Sequence, residues 1–407
     1  MIQDRAVPAD AGAVTTIEHT ERISTELPAK TARLVGLDVA RGLAVFGMFA
    51  AHTIPVGWLH DLVSGRAAAL FAVLAGVSIA LMSGGATPFA GARRGGSRMR
   101  IAIRAVLLFL LGLALSTLHA PAMVILAFYG VLFLLSVPLL RLRTQALAML
   151  AAAFAVGGPL LSFVLRQGIE MDEMGYHPTF AEFTSVAGLW KLCHGLLLTG
   201  AYPVLTWLPF LLAGMALGRL ELRAVRGRLI AIGIGLGVLG YGGSWLALNV
   251  FGGREHLLSL MPPGMPPQMI DMVLSSALGT VPTHDPVFLL TASAHSGTPF
   301  EIVGASGVAI AVIGLCLFGE RLRGVLVPIS SVGALALTAY VGHLLALKAV
   351  GSDRLGQVIS EHLYLPWLVL VAAAMLITTT WRRILGRGPL EWALHRASAW
   401  PARLVSR

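Results

Sequence analysis

The chain has 407 residues, of which 56% are hydrophobic and only 12% charged. A soluble domain carries roughly 25% charged residues, so there is too little charge here to cover a water-facing surface. With a mean hydropathy of +0.80, disorder, a collagen repeat, a disulfide scaffold and nearly any soluble enzyme are excluded, and a polytopic membrane protein is what remains. Aromatic residues make up 7%, and the apolar residues run in long unbroken stretches. That pattern favours helical spans over the short alternating strands of a barrel.

Residues 1–32 are polar and mixed in charge, and they read as a flexible cytoplasmic tail without the apolar core of a signal peptide. A span needs about 20 apolar residues to cross a core about 30 Å thick. Ten stretches qualify, near 34–55, 66–83, 101–118, 121–140, 145–165, 203–220, 228–250, 301–318, 325–348 and 364–381. The expected fold is therefore all-α and polytopic, with about ten transmembrane helices. A further apolar segment, 186–201, contains Lys191 and His194 and reads as an eleventh span, a re-entrant helix or an interfacial one.

Charge tests this count. With ten spans and a cytoplasmic N-terminus, most of the 30 lysines and arginines fall on one side, in the runs Arg93 to Arg104, Arg141 to Arg143, Arg219 to Arg228, Arg321 to Arg323 and Arg382 to Arg387. Positive loops stay in the cytosol, so both termini are expected there. The net charge of +10 is then a topology signal; spread over short loops, it does not suggest nucleic-acid binding.

The opposite side holds most of the 12 histidines, among them His52, His60, His194, His284, His295 and His343. Histidine titrates near neutrality and suits proton transfer or metal binding, which places the functional centre toward the outer half. No HExxH, HxH or cysteine cluster occurs, and Cys193 and Cys316 form no CxxC pair, so no bound metal is predicted. No Walker pattern is present either.

The first span carries Asp38 and Arg41 at i,i+3, on one face. They read either as an ion pair that orients the helix or as a polar floor for a phosphate-bearing donor. Gly42 and Gly47 leave room for close helix approach, or are ordinary membrane glycines. His52 follows Arg41 by three turns, about 16 Å nearer the outside. It is either a helix-end histidine at the interface or a proton acceptor or acyl carrier facing a cavity.

Two long outer segments, 166–202 and 251–300, separate the spans, and loops of that length are usually functional. The second contains a proline run at 261–267 and can fold back over a cavity. Within it His295 and Glu301, among Ser293, Ser296 and Thr298, form a second candidate pair: the histidine activates a hydroxyl or amine and the carboxylate orients it. His284 with Asp285 is a similar pair. Lys191 beside His194 is a candidate anion contact.

The motif Arg33-x4-Asp38-x2-Arg41-Gly42-Leu43-Ala44-x3-Met48-x3-His52 resembles the opening of the membrane acyltransferase-like proteins related to heparan-α-glucosaminide N-acetyltransferase. Thr338-Ala339-Tyr340 and Gly388-Pro389-Leu390-Glu391-Trp392 resemble the YeiB-like family of bacterial membrane proteins (DUF418). The resemblance implies an acyltransferase-like membrane domain at 33–220, a YeiB-like membrane domain at 221–396 and a cytoplasmic tail at 397–407, in the bacterial inner membrane. It implies an acyl group, acetyl or longer, carried from a cytosolic acyl-CoA to an extracytoplasmic glycan or small molecule, with a histidine near the far side of the bilayer. The alternative is a transporter or exporter of a small organic or lipid-linked solute, with interrupted spans near 200–203 and 340–343. The expected partners are the bilayer and the substrate, and the glycine and alanine faces also leave room for a homodimer.

Overall fold

The structure is a computed structural model that describes residues 34–169, 175–262, 266 and 277–405. The expected tail at 1–32, most of the proline run and the last two residues lie outside the described residues. The helices are α1 (Val35–Thr53), α2 (Trp58–Val63), α3 (Arg66–Met82), α4 (Gly91–Ser116), α5 (Leu126–Ser136), α6 (Thr144–Leu165), α7 (Val186–His194), α8 (Val204–Leu217), α9 (Leu222–Gly237), α10 (Gly243–Asn249), α11 (Gly253–Ser259), α12 (Pro299–Phe318), α13 (Val327–Ala334), α14 (Ala336–Val350), α15 (Ser352–Glu361), α16 (Leu365–Ile384) and α17 (Pro389–Val405). No β-strand is present among the described residues, only an isolated bridge between Tyr176 and Gly200.

Among the described residues, seven helical stretches are long and apolar enough to cross a membrane: 35–53, 58–82, 91–116, 144–165, 222–249, 299–322 and 365–384. The pair α13 and α14 makes an eighth if it is counted as one bent span. Three of the ten expected stretches thus form shorter or broken elements. In the stretch 121–140, α5 has 11 residues and tightens into a 3₁₀ turn at Val137–Arg141, where Pro138 sits in the first turn. The 14 residues of α8 rise only about 21 Å. The stretch 325–348 is bent by 84°. Segment 186–201 is the nine-residue α7 followed by a π turn at Gly195–Thr199, with Val186, Leu189 and Trp190 exposed.

Burial separates the centre from the rim. Two thirds (67%) of the apolar windows in 35–53 and 58–82 lies inside the protein, against 22% for 222–249 and 6% for 365–384. A helix apolar on all sides yet exposed is one whose solvent is lipid. Residues from Leu34 onward form one contact unit, and α1 of the expected first membrane domain packs against α12 and α13 of the second.

Two glycines set the tightest crossing. A Cβ on Gly42 would meet the Ile329 carbonyl, and one on Gly333 would meet the Asp38 carbonyl. Backbone contact between α1 and α13 therefore requires both, the small-residue packing that membrane helices use.

The break between α13 and α14 falls at Leu335 and frees the first N–H groups of α14. Glu391, near the start of α17, takes them up: its carboxylate accepts from Thr338 N–H (3.0 Å) and from Thr338 Oγ1 (2.6 Å). A negative charge at a helix N-terminus is favourable, and broken membrane helices persist where their freed polar groups are satisfied again. A side chain on Gly388 would collide with Glu391 and press on Thr338. The segments Thr338-Ala339-Tyr340 and Gly388 to Trp392, some fifty residues apart, are thus two halves of one joint.

Candidate functional site

Two cavities share Tyr340 as a lining residue. Its hydroxyl donates to the Met123 carbonyl (3.3 Å) and accepts from Ile125 N–H (3.2 Å). The ring is thereby pinned between α14 and the loop before α5.

The first cavity, about 250 Å³, contains Arg41, Ser78, Arg104, Tyr129, Gly333 and Glu391 in its wall. Arg41 pairs with Asp38 at 3.0 Å, as the i,i+3 spacing predicts, and also donates to the Gly333 carbonyl (3.2 Å) and Ser78 Oγ (3.2 Å). Asp38 is buried and Arg41 only half-buried, so the carboxylate fixes the guanidinium at the cavity edge. Arg104 donates to Ser398 Oγ (3.3 Å), and Arg100 and Arg387 lie close enough to repel it. Arg100 Nε is buried with no hydrogen-bond partner. Three clustered arginines with surplus donors attract an anion, and guanidinium geometry suits phosphate.

The second cavity, about 180 Å³, is lined by His52, His60, Ser64, Tyr202, His295 and Tyr340 together with small and apolar side chains. The 251–300 segment does fold back here: Ala277, Leu278, Ala294 and His295 close one wall. Gly279 N–H donates to the His295 carbonyl (2.8 Å), and Gly279 packs on the Gly200 and Ala201 carbonyls. His295 adopts the left-handed region (φ 59°), an uncommon and costly conformation for a residue with a side chain. Its ring is held between Tyr202 (5.5 Å, edge-on) and Trp207 (6.1 Å, nearly parallel). Burial, helped by the nearby His60, pushes His295 down to about 4, so it is a neutral imidazole. Burial pushes the Tyr202 phenol up, which leaves it a neutral donor. His60 Nδ1 donates to the Ile54 carbonyl (2.6 Å), and its Nε2 is within hydrogen-bond distance of Ser64 Oγ (3.2 Å).

Of the residues expected from sequence, His52 and His295 share the second cavity, and Arg41, with Asp38 behind it, edges the first. The others lie elsewhere. Glu301 is buried at the start of α12, where its N–H caps on Thr298 Oγ1 (3.2 Å) and its carboxylate faces Arg66 and the Gly297 N–H. It supports the loop that carries His295, and no hydrogen bond joins the two. Lys191 lies over the Tyr176 ring (5.4 Å), and the His194 ring stacks on Trp190 (6.3 Å). Asp285 accepts from His256 Nε2 (2.8 Å) and from Val287 N–H (2.8 Å), while the His284 ring packs on Phe288 (4.8 Å). The His256 contact lowers the Asp285 carboxyl below its usual range. None of these five lines either cavity.

Sequence reasoning assigned no site role to Tyr340, His343, Ser64, Tyr202, Arg104 or Glu391. Tyr340 and Glu391 sit in the two short motifs that meet at the α14 joint, His343 is one of the outer histidines, and Tyr202 falls in the interrupted stretch 200–203; Ser64 and Arg104 carried no distinct signal. Among the described residues, no group of three or more histidine, cysteine or acidic side chains is arranged to hold a metal ion.

Residues 270–401 match the family model described as a protein of unknown function, DUF418. The match contains α12 to α16, most of α17, the loop with His295, and both motifs of the joint. No curated protein matches the chain.

Proposed function

We propose that this chain, which belongs to the DUF418 family over residues 270–401, is a membrane-embedded acyltransferase. It takes an acyl group, acetyl in the simplest case, from a cytosolic CoA thioester and passes it to a hydroxyl or amine of an extracytoplasmic glycan or small molecule. The chain lies in the bacterial cytoplasmic membrane with both termini and the Arg41 cavity toward the cytosol and the His52 cavity toward the outside. With α5, α8 and the bent α13–α14 pair as crossings, the spans number about ten.

One observation carries this reading: a single side chain, Tyr340, forms wall in both the arginine cavity and the histidine cavity. Phosphates of the donor are held by Arg104, Arg100 and Arg387 at the mouth. A cavity of about 250 Å³ admits the donor's slender acyl-bearing arm and leaves the nucleotide outside. At the Tyr340 level the acceptor's oxygen or nitrogen attacks the thioester carbonyl. His52 removes the acceptor's proton, the carbon–sulfur bond breaks, and the departing thiolate takes up that proton. His60, Ser64 and His295 orient the acceptor through their ring nitrogens and hydroxyl.

The test is purified protein in nanodiscs with radiolabelled acetyl-CoA. Thiol release and label transfer should be lost in His52→Ala, and apparent donor affinity should fall about tenfold in Arg104→Gln, the scale of one charge-assisted contact. Absence of CoA binding at millimolar concentration, together with absence of thioester turnover, overturns the reading.

The 84° break at Leu335 favours a second reading, because discontinuous helices beside a central cavity are how many transporters hold solutes. Solute flux into proteoliposomes without acyl turnover would select it.

A further inference from the structure

We infer that His343 is a positioning residue that fixes the tautomer and orientation of His52; the inference rests on the base role given to His52 above. His343 is buried (2% exposed) and lies behind His52, outside the cavity lining. His52 Nδ1 and His343 Nε2 are 3.1 Å apart. The two rings are nearly coplanar (9°) with centroids 5.3 Å apart. Parallel planes at that separation, with nitrogens in contact, describe an edge-to-edge hydrogen bond lying in the ring planes. One nitrogen donates and the other accepts.

The surroundings of His343 decide which. Its Nδ1 is buried with no hydrogen bond of good geometry, and the groups beside it are the Ala339 and Tyr340 carbonyls of its own preceding turn. A lone pair aimed at two carbonyl oxygens is repelled, whereas an N–H aimed there is attracted. The proton of neutral His343 therefore sits on Nδ1, and its Nε2 is an acceptor. His52 Nδ1 must then be the donor, and the His52 Nε2 lone pair is left for the cavity. That is the form a general base needs, held before any acceptor arrives. The Phe49 ring packs on His343 at 4.8 Å and Tyr340 edges it at 5.1 Å, so the ring is fixed from two further sides. The titratable groups that share the cavity with His52 are His60, His295, Tyr202 and Tyr340; the hydrogen bonds of His60 and Tyr340 go to Ile54, Ser64, Ile125 and Met123, not to His52 Nδ1.

Two measurements test this without any acyl donor. The first is the nitrogen-15 spectrum of histidine-labelled protein in lipid, with His52 assigned through His52→Asn. The expected pattern is Nδ1 protonated and Nε2 bare at His52, with Nδ1 protonated at His343. The reverse pattern at His52 overturns the inference, and it does so whether or not any variant folds. The second is the rate of His52 modification by diethylpyrocarbonate at pH 7.5, read by peptide mass spectrometry, with His284 as the internal reference. His343→Leu should slow His52 about fivefold, the value of one hydrogen bond. His343→Gln, whose carboxamide oxygen still accepts from His52 Nδ1, should restore most of the rate. Equal rates in wild type and His343→Leu, or a His343→Gln rate as low as that of His343→Leu, overturn the inference. The expected spectrum and rates in a protein without thioester turnover would leave the histidine pair standing while the acyltransferase reading falls. Turnover with the reversed tautomer would do the opposite.

Discussion

Replacing Glu391 with alanine tests whether the bent helix is held by the joint described above. In the wild type the carboxylate accepts from Thr338 N–H at 3.0 Å and Thr338 Oγ1 at 2.6 Å. Hydrogen bonds to a charged group contribute about 1.5–3 kcal/mol each, and a carboxylate at a helix N-terminus adds about 0.3–1 kcal/mol. Glu391 and Thr338 are both half-buried and the carboxylate lines a cavity, so water replaces part of what is lost. The expected net destabilisation is about 2–4 kcal/mol. Glu391→Gln keeps one carbonyl acceptor and should cost about 1 kcal/mol. Reversible unfolding in mixed detergent micelles measures both, and amide exchange at Thr338 should quicken in the alanine variant. If Glu391→Ala lies within about 0.5 kcal/mol of wild type, the range of an ordinary surface change, or if glutamine is as damaging as alanine, the break at Leu335 is held by something else.

Gly333→Ala should destabilise by about 1–3 kcal/mol, because its methyl would meet the Asp38 carbonyl and overpacking costs that much; the same unfolding assay reads it. Arg41→Ala removes the 3.0 Å ion pair to buried Asp38 (6% exposed) and should cost about 2–4 kcal/mol, part of it recovered by adding Asp38→Asn. Neutral His295 titrates near 4 in the folded protein and near 6.5 when unfolded. Between those values the unfolded chain binds the extra proton, so stability present above pH 6.5 is lost as pH falls toward 4, by about 3 kcal/mol in all. A His295→Asn variant should show a flatter stability curve across that window, and an identical slope would refute the account.

How far the sequence reached depended on how local each feature was. Asp38 and Arg41 are one turn apart, so spacing alone predicts the 3.0 Å pair. The arginine runs set the expected sidedness that groups most histidines together, and His52 and His295 line one cavity across more than two hundred residues of sequence. The fold class is all-helical as expected, but hydropathy reads 325–348 as one run. Nothing in Ala334-Leu335-Ala336 breaks a helix locally, since the bend is sustained from outside, by Glu391. Similarly, Glu301 was paired with His295 on proximity along the chain, whereas its carboxylate faces Arg66 from a different helix. Lys191 and His194, expected as an anion contact, lie against the Tyr176 and Trp190 rings, neighbours that sequence spacing alone shows only for Trp190.

The short helix α14 joins these features physically. Its N-terminus rests on Glu391 at Thr338, Tyr340 stands two residues later in the wall of both cavities, and His343 follows one turn on, in contact with His52. The distance from Thr338 to His343 is five residues, about 7.5 Å of helix rise, and a helix of that length moves as a rod. Thr338, held by the Glu391 that lines the arginine cavity, thus sits on the same rod as Tyr340 and His343. Glu391 and Arg41 line the first cavity, and His52, which His343 contacts, lines the second. A straight span through 325–348 would place the same residues on a continuous helix, without a free N-terminus for Glu391 to grip. The 84° break sets a helix start, rather than a helix interior, against Glu391.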